Sequence, residues 1–150
     1  MLTVKWSGLG ELAVNVTKLM KLYDGPAGAR VVKAGGIVIR EAARANIRAK
    51  LNRNPTGRLE SETEVHPVNS RRVHIGTLRN IYARVHEYGH PGITPVRAKA
   101  LRFVVNGQVV FAQKVVIPAR PWLRPAATES RDNVEKAMGT AIERTIEQAL

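Results

Sequence analysis

The sequence predicts an α+β fold, on three observations. Apolar residues recur at helical spacing up to about Arg53, alternate between about Leu59 and Ile117, and return to helical spacing near the C-terminus. Asn106-Gly107, between two valine-rich runs, supplies the positive φ angles of a type I′ hairpin turn. Ile117-Pro118-Ala119-Arg120-Pro121-Trp122-Leu123-Arg124-Pro125-Ala126 forms a proline corner between the last alternating run and the last helical one. The expected architecture is two N-terminal helices, an antiparallel sheet built from two β-hairpins, and a long C-terminal helix packed on the sheet. One domain over residues 1–150 is expected, large enough to bury a core without staples.

In chain order, Leu9, Leu12, Val16, Leu19 and Met20 mark one face of a helix over Gly8–Leu22, which Asp24-Gly25-Pro26 ends. A second helix runs from Arg30 to about Arg53, with Val31, Val38, Ala42, Ala45 and Ala49 on one side. Arg40, Arg44 and Arg48 stack one turn apart on the opposite side, with Lys33 nearby. That stripe is either a solvated face or a surface turned toward phosphates. Asn54-Pro55-Thr56-Gly57 breaks the helix.

Leu59–Val65 and Arg71–Ile75 read as a hairpin through His66–Ser70, setting Glu60, Glu62 and Glu64 beside Arg72 and His74. The second hairpin joins Ala98–Val105 to Gln108–Ile117. At the corner the prolines favour extended backbone over Ile117–Arg120. A helix can then begin near Pro121 with Pro125 in its opening turn, or start just after Pro125, because first-turn N–H groups have no intrahelical partner. Trp122 and Leu123 plug the join between sheet and helix. Leu123, Ala127, Val134, Ala137, Met138, Ala141, Ile142 and Thr145 trace the buried stripe of a last helix running nearly to Leu150.

Twenty-four Lys and Arg against twelve Asp and Glu give a net charge of +12, which points to an acidic partner, nucleic acid foremost. Aromatic residues are only 5%, too few for a platform that stacks single strands. The chain has no cysteine, which excludes disulfides and thiolate metal sites and fits a reducing cytosol or a particle assembled there. The N-terminus lacks a basic-then-apolar signal pattern and no apolar run approaches a membrane span, so a soluble protein is expected.

His86-Glu87-Tyr88-Gly89-His90 satisfies the His-Glu-x-x-His pattern of zinc metalloproteases, which requires both histidines one turn apart on a continuous helix. Gly89 and Pro91 disfavour that helix, and no histidine follows His90. The pattern reads as a chance match in a short helix that stops at Gly89, with no catalytic residue, metal or cofactor expected.

Tyr82-Ala83, Glu87-Tyr88-Gly89 and Pro118 through Ala126 resemble the neck proteins of long-tailed bacteriophages, also called tail-completion, tail-component or head-tail connector proteins. That family carries Tyr-Ala, an acidic-aromatic-Gly triplet, and a Pro-Ala-Arg-Pro-aromatic-Leu-Arg-Pro-Ala corner before its last helix. Gly8-Leu9, the alanine-rich helix to Ala49-Lys50, and Asn54-Pro55-Thr56-Gly57-Arg58-Leu59 are similar too. His90 departs from the family, which often has a small polar residue there.

The resemblance implies a non-enzymatic virion subunit at the neck–tail junction, assembled in the host cytoplasm. It implies a homo-oligomeric ring around the DNA channel, joined to head-closure or adaptor proteins on one side and a tail terminator or tail tube on the other. Non-specific contact with genomic DNA and no membrane partner are expected. Arg40, Arg44 and Arg48 are the candidates to face the channel. Tyr82, Glu87, Tyr88, Gly89, Arg120, Pro121, Trp122 and Leu123 are the candidates for assembly or fold, with Gly89 and Pro121 read as fold. A free-standing basic nucleic-acid-binding protein is the second reading, although no helix-turn-helix, zinc finger or RNA-binding signature is present. A zinc hydrolase is the third.

Overall fold

The computed structural model describes residues 9–51 and 56–148. The elements are α1 (Leu9–Tyr23), α2 (Pro26–Leu51), α3 (Arg58–Ser61), β1 (Glu64–Asn69), β2 (Arg72–Gly76), α4 (Ile81–Tyr88), β3 (His90–Ile93), β4 (Leu101–Val105), β5 (Gln108–Ala112), β6 (Val115–Ile117), α5 (Leu123–Glu129) and α6 (Arg131–Glu147). The α+β class stands. Gly8, the Asn54-Pro55 break and Leu150 lie outside the described residues, as do the side chains of Leu9, Leu12 and Leu19.

Helix α2 is the spine. It begins at Pro26, four residues earlier than Arg30, because proline suits a first helical turn. Its 26 residues span about 39 Å at 1.5 Å each. The β1–β2 hairpin, α5 and α6 all pack against it. Gly35 and Gly36 make the close approach possible. A Cβ at Gly35 would lie 3.0 Å from Met138 of α6, and one at Gly36 would lie 3.0 Å from Val65 and 3.1 Å from Val73 of the hairpin.

The buried face of α2 is Ala27, Gly28, Gly35, Gly36, Ala43 and Ile47. Ala45 and Ala49, expected inside, are exposed. A helix rich in alanine and glycine has little hydrophobic contrast, so the neighbours decide which small residues are covered. Ala43 and Ile47 turn inward because Trp122 and Ala126 press on them; these four form the central core, bordered by Ile39, Ala42, Leu51, Leu59, Ala83 and Leu123.

The first hairpin starts later than alternation suggested. Residues 58–61 coil into α3, and β1 begins at Glu64. Register therefore sets His66 opposite His74 and Glu64 opposite Gly76. The expected Glu row beside Arg72 and His74 does not form, because Glu60 and Glu62 belong to the helical turn and its cap. A hydrogen bond from Thr63 Oγ1 to Leu59 O (2.6 Å) secures that turn, and Thr63 is fully buried.

The second hairpin turns at Asn106 (φ 51°) and Gly107 (φ 81°), as type I′ geometry requires. The partnership ends at Ala112, however. Residues 115–117 leave the hairpin and pair with β3, so among the described residues the six strands form three separate antiparallel pairs rather than one sheet. The last helical run is likewise two helices meeting at Ser130, and α6 lies mainly against α2. Ala126 is buried where Ala127 was expected, and Ile142 is 46% exposed.

Trp122 is 2% exposed and sits at the centre of this core. Trp122→Ala is expected to lower unfolding stability by about 3–5 kcal/mol, measured by urea or thermal denaturation of the purified chain. A melt indistinguishable from the parent would move Trp122 out of the core.

Candidate functional site

Two segments that lie about thirty residues apart in sequence meet side by side: the end of α4 with the start of β3, and the proline corner. Asn80 opens α4, its side-chain oxygen accepting the Tyr82 N–H at 3.1 Å. Gly89 closes it with φ 75° and ψ −179°. Only glycine fits there, since a Cβ would stand 2.8 Å from both Ala119 N and Ile117 O, at a φ that side chains rarely adopt. The chain then runs beside the corner: His90 pairs with Ile117, and the Arg120 N–H donates to His86 O at 2.7 Å.

Glu87 completes the join and is 8% exposed. One carboxylate oxygen accepts the N–H groups of Trp122 (2.8 Å) and Leu123 (2.9 Å), and the other accepts that of Arg124 (2.9 Å). The first four N–H groups of an α-helix lack intrahelical partners. At α5 these belong to Trp122, Leu123, Arg124 and Pro125; Glu87 takes three, and the fourth residue is a proline with no N–H. A negative charge here also complements the helix dipole. Burial alone would raise the Glu87 pKa, but the Leu123, Trp122 and Arg124 N–H groups and the Arg124 charge outweigh it and hold the carboxyl below its ordinary value.

The remaining corner residues fasten the same join. Trp122 Nε1 donates to Ala83 O at 3.4 Å, and the Arg124 guanidinium lies 5.7 Å from the centre of the Tyr88 ring. From α2, Asn46 Nδ2 donates to Trp122 O (3.0 Å) and Lys50 Nζ to Pro121 O (2.8 Å). Leu123 borders the central core. Tyr82 stands apart from the clasp and is 65% exposed. Asn46 and Lys50 were not foreseen, because polar residues one turn apart on a helix carry no mark that separates a carbonyl ligand from a solvated face.

The zinc-like pattern does not converge. His86 is in the last turn of α4, His90 is on β3, where its Nδ1 accepts the Gly92 N–H at 3.2 Å, and Glu87 has both oxygens engaged by backbone. His86 Nδ1 is buried without a partner, and burial, then the Arg120 charge, lowers its pKa. Among the described residues no three His, Asp or Glu side chains cluster as metal ligands, and no helix is long and apolar enough to cross a membrane.

Arg40, Arg44 and Arg48 do share one face of α2, but that face meets carboxylates. Arg40 bonds Glu41 (2.6 Å) and Glu64 (3.2 Å); Arg44 bonds Glu64 (2.7 Å) and Thr63 O (3.2 Å); Arg48 pairs with Glu60. The stripe is thus charge-balanced and ties α2 to α3 and β1. Burial works to raise the Glu64 pKa, and the two guanidiniums bring it below the ordinary carboxylate value.

Fold and site together define an α+β protein whose marked residues form a clasp between a short helix and a proline corner. No family model, no curated protein and no solved structure matches this chain.

Acidification tests the clasp. Since folding lowers the Glu87 pKa, the unfolded carboxyl takes up its proton first; its stabilising contribution is complete above about pH 4.5 and is lost as pH falls toward the folded value. His86 is also lowered, so it costs stability progressively as pH falls below about 6.5. Glu87→Gln is expected to destabilise the chain by about 2–4 kcal/mol at neutral pH, with the deficit shrinking below pH 4.5 while the His86 slope persists. Chemical denaturation across pH measures both. A constant deficit at all pH values would show that the carboxylate charge is not what the corner binds.

Proposed function

We propose that this chain is a structural subunit of the neck of a long-tailed bacteriophage. In this reading it forms a ring in the head-tail connector and surrounds the DNA channel between portal-proximal proteins and the tail. The observation that carries the proposal is the clasp. The two motifs in which the chain resembles neck proteins, Glu87-Tyr88-Gly89 and Pro118 through Ala126, interlock through Glu87, Gly89 and Trp122. The Glu87 carboxylate and the Trp122 indole N–H are engaged with backbone of the join rather than presented to a ligand, which suits a residue pattern kept for shape.

The net charge of +12 suits an assembly with DNA at its centre. The arginine stripe adds little to this reading, because Glu41, Glu60 and Glu64 balance it. A channel subunit must let the genome move, so the free chain should bind duplex weakly, without sequence preference, and release it as salt rises.

Antibody against the purified chain is expected to label particles of the encoding phage at the head–tail junction. Particles made without the chain should accumulate as DNA-filled heads unjoined to tails. A chain absent from particles that binds duplex tightly at physiological salt would instead make it a free-standing nucleic-acid-binding protein.

A further inference from the structure

A cavity of about 350 Å³ lies between the α3 turn and the start of α4, and its polar lining is Thr56, Arg58, Arg79, Asn80, Tyr82 and His86. Among the described residues no carboxylate lines it. Its volume falls in the range of small-ligand sites, about 300–1,000 Å³. The α2–α6 groove, of about 440 Å³, is its opposite in character: Val31, Val32, Met138 and Ile142 line that groove and no charged side chain does.

The positive charge in the cavity is not cancelled. Arg79 is exposed and joins no ion pair among the described residues. Arg58 gives Nε and Nη2 to Glu62, at 3.3 and 3.2 Å, and its Nη1 is held by no described residue. His86 Nδ1 is buried without a partner, and burial together with the nearby Arg120 charge pushes its pKa down. The adjacent acid, Glu87, has both oxygens on backbone N–H groups of the corner.

The imbalance reaches beyond the cavity. Residues 65–128 hold ten Lys or Arg, and their one acid is the buried Glu87. The excess charge of the chain therefore sits in this stretch rather than on Arg40, Arg44 and Arg48, which meet glutamates. Duplex DNA carries one phosphate charge per about 1.7 Å of axis, so it can face many dispersed cations at once. The two free oxygens of a phosphodiester also match the fork of a guanidinium.

We infer that this cavity is a phosphate-binding site and that the backbone of duplex DNA supplies the phosphate. Arg79 and the Nη1 of Arg58 are its charged donors, and the hydroxyls of Thr56 and Tyr82 are its neutral ones. Tyr82 and His86, which the clasp leaves unused, thereby acquire a role. One such contact per subunit keeps binding weak and independent of sequence, because a phosphate carries no base information. The inference rests on the neck reading only for which DNA is met.

Two measurements on the full chain test this. In NMR at constant ionic strength, inorganic phosphate should move the His86 ring resonances and raise its pKa, since an anion offsets the Arg120 charge. Arg79→Ala, an exposed change whose fold circular dichroism verifies, should abolish both responses. In fluorescence anisotropy with labelled duplex at low salt, Arg79→Ala should bind about tenfold more weakly. Its slope of log Kd against log salt should be smaller by about one, whereas Lys136→Ala, exposed on α6 and outside the cavity, should change binding less. A His86 signal that ignores phosphate overturns the site. A response to phosphate with duplex binding unchanged in Arg79→Ala overturns the DNA assignment and leaves free phosphate as the occupant. A His86 signal that polyglutamate moves and duplex does not overturns it in favour of an acidic peptide. Particles that antibody fails to label remove the neck reading alone, and labelled particles with a cavity blind to phosphate remove this site alone.

Discussion

The fold depends on one buried carboxylate. Glu87 accepts three consecutive backbone N–H groups at the start of α5. A helix start buried without acceptors would leave several polar groups unsatisfied, each at a cost of about 1–3 kcal/mol. With the carboxylate in place, Trp122 can enter the core, and α5 can lie against Ala43 and Ile47 of α2. Gly89 sets how near the two backbones come, and the prolines at 121 and 125 remove donors that Glu87 could not also serve.

Around that join, α2 divides the molecule by the kind of contact it makes. Its small residues admit α6 and the β1–β2 hairpin at close range, so packing dominates there. Its arginines lean the other way, onto Glu60, Glu64 and the Thr63 carbonyl, so the α3–β1 segment is held by charge-assisted hydrogen bonds. A stripe of like charges that would strain an isolated helix becomes a tether once acidic residues from elsewhere in the chain face it.

Charge and apolar surface are unevenly shared along the chain. The acid-free stretch from 88 to 128 includes the β4–β5 hairpin, while α6, one wall of the α2–α6 groove, belongs to the acidic C-terminal stretch. Neither surface is needed to complete the core around Trp122.

The sequence by itself determined the α+β class, the Asn106-Gly107 turn and the end of α4 at Gly89, and narrowed the corner's helix to a start near Pro121 or just after Pro125. Each rests on local backbone chemistry: positive φ, a missing N–H, or a change of apolar period. It also marked Glu87, Gly89 and Trp122, without showing that they touch. Tertiary structure alone decided which alanines of α2 are covered, where β1 begins, that Val115–Ile117 leave their hairpin for His90–Ile93, and that the arginine stripe meets glutamates. Those outcomes turn on which surfaces arrive from distant parts of the chain, and small residues, short strands and long charged side chains accept more than one neighbour with nearly equal local cost.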